Sequence, residues 1–273
     1  METLTFLRKL TANFPQTQRM PVLFVGHGSP MNAIEANEFA RGWQLIGSSI
    51  PVPKAILCIS AHWETRGTFI TAMEKPATIH DFYGFPQALF EVEYPAPGDP
   101  ALARETAAII QSTPVMEDLS WGFDHGSWSI LKHFYPLANI PVLEMSMDHT
   151  QKPQWHYELA RELQALRYKG VLIIGSGNMV HNLRVINWRM KDAGFDWAEE
   201  ANAVLKTLIT EGRHDQLWQY QQLGAAIQQS VPTPEHFIPL LYTLGLQQDS
   251  DQLAFFNDKT VMGSISMTSV ILG

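Results

Sequence analysis

The chain has 273 residues, 45% of them hydrophobic, and a net charge of −8. That content builds a real core in one large or two ordinary domains. The acidic balance, with no run of five or more lysines and arginines, argues against nucleic acid or an anionic membrane as a partner.

Residues 1–20 read as an N-terminal extension ahead of a domain at 21–273. They lack a continuous apolar stretch and a small-residue cleavage site, so they make a poor signal peptide. Apolar runs at 22–26, 55–61, 141–147 and 171–175 have the near-continuous hydrophobicity of strands covered on both faces. Helices are predicted between them. The segment 33–49 follows Pro30 and carries Ile34, Phe39, Trp43 and Ile46. The segment 99–112 opens on Asp99-Pro100, an N-cap followed by proline at the first helical position. Further helices are expected over 153–167, 196–211 and 234–244, and the terminal run 262–272 reads as a strand.

This alternation predicts a single three-layer α/β domain, a mostly parallel central sheet flanked by helices. Pro76, Pro86, Pro95 and Pro97, with Phe82, Tyr83, Gly84 and Phe85, make 75–98 a long irregular loop, and such loops in compact domains serve function. It reads as a substrate-lining lid. No stretch of about 18 apolar residues spans a membrane. The single cysteine, Cys58, sits inside an apolar run; it excludes an internal disulfide framework, reads as an inert buried thiol and fits the reducing cytoplasm.

Ten histidines are present. A histidine near an apolar run is by default a hydrogen-bonded structural residue, and His133, His149, His156 and His214 are read so. Four others sit where a strand-like run meets a small-residue turn or a helix start: His27 in Gly26-His27-Gly28-Ser29-Pro30, His62 after Ser60-Ala61, His181 after Gly175-Ser176-Gly177-Asn178, and His236 in Pro232-Thr233-Pro234-Glu235-His236. The carboxyl ends of strands in an open α/β sheet form the rim where ligands bind, so these imidazoles can meet at one divalent metal, zinc or iron. The glycine pair before His181 lacks the lysine and spacing of a phosphate loop. Glu235 and His236 offer two candidate ligands at one helix start, of which one reaches the metal. Asp124 beside His125 can fix a ring tautomer. His80, Asp81, Tyr83 and Trp63 are candidate substrate contacts, with Phe85, Trp121 and Trp128 as further aromatic lining.

Taken together, Gly26-His27-Gly28-Ser29-Pro30, Ser60-Ala61-His62-Trp63, His80-Asp81-Phe82-Tyr83-Gly84-Phe85-Pro86, Asp124-His125-Gly126-Ser127-Trp128, Gly175-Ser176-Gly177-Asn178-Met179-Val180-His181-Asn182 and Pro232-Thr233-Pro234-Glu235-His236 resemble the class III extradiol ring-cleavage dioxygenases, and within them the DOPA dioxygenase branch. The likeness runs from about Met20 to the C-terminus, and its strength is six motifs in one order. It implies one divalent metal per chain, Zn(2+) or Fe(2+), held by His27, His62 and a third ligand from Glu235-His236. It implies His181 at the metal's edge, as a further ligand or an acid/base, and His125 at the substrate. The implied partners are a small-molecule catechol and O2. The expected reaction opens DOPA or a related catechol to a semialdehyde, with His125 or His181 taking a phenolic proton.

The better-known oxygenase triad is two histidines and a carboxylate. A shell of histidines alone suits zinc at least as well as iron, and zinc has no redox chemistry. Two alternatives therefore stand beside the dioxygenase: a zinc-dependent hydrolase using metal-bound water, and a non-catalytic binding protein of the same fold. Oxygen uptake with a catechol separates the first reading from both.

Overall fold

The computed structural model describes residues 19–273, so the extension read at 1–20 lies almost wholly outside the described residues. Along them the strands are β1 (Val22–Gly26), β2 (Ala55–Ser60), β3 (Glu64–Thr65), β4 (Thr68–Thr71), β5 (Val115–Asp118), β6 (Val142–Glu144), β7 (Met147–Asp148), β8 (Val171–Gly177), β9 (Leu253–Phe256), β10 (Thr260–Val261), β11 (Ile265–Ser266) and β12 (Ser269–Leu272). The central sheet has six strands in the order β6-β2-β8-β1-β12-β9. Strands β6, β2, β8 and β1 run parallel, while β12 and β9 add an antiparallel edge.

Every residue of β1, β2 and β8 is buried, as the unbroken apolar runs require of strands covered on both faces. Their side chains alternate between two cores. Leu23, Val25, Ile56, Leu172 and Ile174 pack in one cluster with Trp43, Ile46, Trp128 and Leu131 from the Glu38–Ser49 and His125–Phe134 helices. Leu57, Ile59, Val171 and Ile173 pack on the other face with Leu159, Ala160, Leu166 and Tyr242. A third cluster joins Phe24, Val270 and Leu272 to Leu205, Leu241 and Leu244. The result is the expected single α/β domain with helices on both faces.

Helix boundaries differ from the sequence expectation where capping intervenes. Residues Pro30–Ala33 form a separate 3-10 turn, and the helix begins only at Glu38, because Asn37 accepts from the Ala40 amide as an N-cap. The helix expected from residue 234 starts at Ile238; Pro232 and Pro234 push their preceding residues out of helical conformation. Asp99 caps the Pro100–Ile109 helix as its sequence signature requires. The 75–98 segment is pinned by Tyr94 N to Thr78 Oγ1 (2.9 Å) and Gly98 N to Glu74 O (2.9 Å). It contains one short helix, Gln87–Phe90. Cys58 is buried and free. No described helix is long and apolar enough to cross a membrane.

Candidate active site

Register brings the histidines together. Gly26 pairs with Gly177, and Ser60 with Ser176, so the carboxyl ends of β1, β2 and β8 lie side by side. His27 follows β1 directly. Gly28 then turns the chain with φ +61, a left-handed conformation glycine adopts without strain, and a Cβ there would stand 2.4 Å from the Met267 sulfur. His236 arrives from outside the sheet, its carbonyl accepting from Asn178 N at 2.9 Å. That approach needs glycine at 177, where a Cβ would lie 2.2 Å from the His236 oxygen. Gly177→Ala is therefore expected to displace the His236 backbone, costing about 1–3 kcal/mol of stability together with metal affinity. Thermal melts and metal titration of the variant check this, and wild-type values in both would refute it.

The Nε2 atoms of His27 and His62 stand 3.2 Å apart. The ring centroid of His236 lies 5.3 Å from that of His27 and 5.0 Å from that of His62. One ligand nitrogen from each of the three falls within 4.8 Å of the others. Two nitrogens held tetrahedrally at roughly 2.1 Å from one ion stand about 3.4 Å apart, so the His27–His62 separation fits a shared divalent cation.

The outer nitrogens fit it as well. His27 Nδ1 faces Ser176 Oγ at 3.0 Å, His236 Nδ1 faces Glu235 Oε1 at 3.1 Å, and His62 Nδ1 stands 3.4 Å from Asp81 Oδ2. Such oxygen partners orient ligating imidazoles and fix their tautomers. Burial, reinforced by the neighbouring histidines, holds His27, His62 and His236 well below the usual imidazole range. They stay neutral, with lone pairs available, at neutral pH. Glu235 stands behind His236 and also accepts from Thr233 Oγ1 at 2.8 Å.

His181 stacks on His236, with centroids 3.5 Å apart and planes at 10°. It can also group with Glu235 and His236 around a cation. Burial lowers it to about 4. His125 opens its helix on the other side of the cluster, its ring 3.9 Å from that of His62. Its tautomer partner is not the adjacent Asp124, which turns away to cap the helix, but Asp81 in the aromatic loop. One Asp81 carboxylate oxygen faces His125 Nδ1 at 2.9 Å, and the other accepts from the His125 amide at 2.9 Å. Burial alone would raise the Asp81 carboxyl, but the hydrogen bonds and charge of His125, with His62, outweigh it and bring it down to about 2.

These groups open into a cavity of about 510 Å³. Phe82, Tyr83 and Phe85 wall one side, Leu183, Ile186 and Trp188 the other. Tyr83 is 92% and Trp188 60% exposed at the mouth. The second wall was missed in the sequence reading, although apolar Leu183, Val185, Ile186 and Trp188 in a stretch with neither helical nor strand period were a usable signal. Two expected substrate contacts do not line the cavity. His80 turns inward, its Nε2 bonded to Val92 O at 3.0 Å and its ring among Phe82, Phe90 and Trp128. Trp63 is buried in a parallel stack on Trp121, planes 3° apart. Trp128 is fully buried, donating to Ile79 O. The four histidines read as structural stay away from the cavity; His156, for example, faces the Tyr242 hydroxyl at 3.0 Å in the core.

Beneath the histidines lie two fully buried carboxyls. Asp124 accepts from Ser60 Oγ at 2.6 Å and Ser127 N at 3.2 Å. Glu144 accepts from Asp124 N at 3.1 Å, from Trp121 Nε1 at 3.2 Å and from Ser127 Oγ. Burial and then the charge of Asp81 raise Asp124 to about 6, while burial and then Asp124 push Glu144 well above the usual range. Both folded values exceed the unfolded ones. The stability each contributes is thus full below about pH 4 and is lost as pH rises through its folded value, about 6 for Asp124. Glu144→Gln, neutral at every pH, is expected to lose less stability than wild type as pH rises from about 5 to about 8. Urea denaturation at both pH values measures it, and parallel losses would refute it.

With this geometry in place, comparison with known proteins is decisive. The family model of the catalytic LigB subunit of aromatic ring-opening dioxygenase matches residues 24–272. The chain belongs to the LigB family. It is 46% identical over 260 residues to the 4,5-DOPA dioxygenase extradiol of Escherichia coli K12, covering 93% of this chain and 95% of that one. It is 34% identical over 254 residues to the 4,5-DOPA dioxygenase extradiol of Beta vulgaris, covering 90% and 94%. A crystal structure of an uncharacterised Escherichia coli K12 protein superposes with a TM-score of 0.82 at 42% identity, covering 93% of this chain and 100% of that one. As a LigB-family protein with such relatives, this chain is an extradiol ring-cleaving dioxygenase, as its six motifs imply.

Proposed function

We propose that the protein opens the ring of DOPA or a closely related catechol with O2, incorporating both oxygen atoms to give a semialdehyde. The carrying observation is the convergence of His27, His62 and His236, neutral and each backed by an oxygen, at the floor of a cavity with aromatic walls. In this reading those three hold one divalent metal, and His181, stacked on His236, stands at its edge. A metal bound there supplies Lewis acidity toward the catechol oxygens and, as iron(II) but not as zinc, the redox chemistry that O2 requires.

The chain's own residues do the rest. The Asp81 carboxylate accepts from His125 Nδ1, which leaves the Nε2 lone pair directed away from Asp81 to take a phenolic proton. Phe82, edge-on to the His125 ring at 5.6 Å, limits its rotation. Phe85, Ile186 and Trp188 hold a flat ring by its faces and keep bulk water from it.

The test uses protein stripped of metal and reloaded anaerobically with Fe(II) or Zn(II), then given DOPA in an oxygen electrode. One O2 consumed per catechol with iron, none with zinc, and a yellow ring-opened product are expected. No uptake with either metal across several catechols would overturn the reading, and ester hydrolysis by the zinc form would replace it.

A further inference from the structure

A second cavity, of about 600 Å³, adjoins the first, and Ser29, Phe85, Trp188 and Met262 line both. Where the first is lined by histidines, Asp81 and apolar side chains, this one carries charges of both signs. Glu38 and Asp192 line it and share one ammonium, both accepting from Lys259 Nζ, at 2.6 and 2.8 Å, so that this trio keeps one net negative charge. Glu35, Arg41 and Lys191 also line it; none of their side chains forms a hydrogen bond or close ion pair among the described residues, and Lys191 acts only at longer range, on the charge of its neighbour Asp192. Two cations, Arg41 and Lys191, and the anion Glu35, none held in a close ion pair, beside a ring-binding cavity complement one carboxylate and one ammonium on a short tether. An apolar ring substituent would leave all three unmatched.

We infer that this second cavity receives the amino-acid end of the substrate, with Arg41 and Lys191 on its carboxylate and Glu35 on its ammonium, the tether crossing between Ser29 and Trp188. The inference rests on the catechol reading above and names the charged residues of this chain that make a zwitterionic catechol the preferred one.

The experiment measures anaerobic dissociation constants and kcat/KM for the iron-loaded enzyme with DOPA, dopamine (no carboxylate), dihydrocaffeate (no ammonium) and methylcatechol (neither). Each lost exposed charge contact is expected to weaken recognition by about fivefold. In Arg41→Met/Lys191→Met, the preference for DOPA over methylcatechol should drop by about tenfold or more. Dihydrocaffeate should lose in parallel with DOPA, and dopamine should not. Glu35→Gln should reverse that pattern, penalising DOPA and dopamine but not dihydrocaffeate. Unchanged preference ratios, or equal losses on all four compounds, would overturn the tail assignment while leaving ring cleavage intact. Failure of the wild-type enzyme to bind or open any of the four would overturn the catechol reading itself.

Discussion

Replacing His125 by alanine is expected to leave one metal per chain in place and to cut catechol turnover by about 10²- to 10⁴-fold, the range of a lost general acid/base. In the proposed site, His27, His62 and His236 meet without His125, so metal content should hold. What disappears is an imidazole whose Nδ1 is committed to Asp81 at 2.9 Å and whose ring sits beside His62. Asp81→Asn offers a graded check. The amide cannot receive Nδ1–H as a carboxylate does, so turnover of the fully metal-loaded variant should fall by less than in His125→Ala, while metal affinity drops by up to about 10- to 100-fold because Asp81 also stands behind His62 Nδ1. Metal analysis beside oxygen uptake decides the matter, and wild-type activity in His125→Ala would remove that residue from the mechanism.

His62→Ala is expected to abolish stoichiometric metal binding and all activity with it. Two imidazoles of the group would remain, and Ala61 and Trp63, which flank the position after β2, carry no ligating atom. The loss of affinity should exceed the roughly 10- to 100-fold typical of removing an outer partner, which is the loss expected for Ser176→Ala behind His27 Nδ1. Competition against a chromophoric chelator ranks the two variants. One tightly bound metal per chain in His62→Ala would refute the assignment.

Much of this was legible before any coordinates. The unbroken apolar runs of β1, β2 and β8 have the pattern of strands covered on both sides, and a histidine just past such a parallel strand emerges at the rim. The Asp99-Pro100 signature located a helix start because capping is a local interaction. The helix starts at Glu38 and Ile238 were misjudged where a cap or proline-restricted turn competed with the apolar period. His80 and Trp63 were misjudged for a different reason: a side chain in an irregular segment has no period to say which way it points.

Local patterning thus determined the parallel strands of the sheet and the main helices between them, the single α/β domain, the imidazole-rich donor set and the family likeness, because each depends on residues a few positions apart or on motifs in a given order; it did not reveal the edge strand β9 or the breaks between β6 and β7 and between β11 and β12. Tertiary structure decided the pairings: Asp81 rather than Asp124 on His125, Ser176 behind His27, Glu235 behind His236, and a second wall from Leu183 to Trp188. It also decided the distances, such as the 3.2 Å between His27 and His62 nitrogens. Those contacts join segments as far apart as 149 positions, as for His27 and Ser176. They are set by strand register and close backbone approach at glycines such as Gly177, which no local sequence pattern encodes.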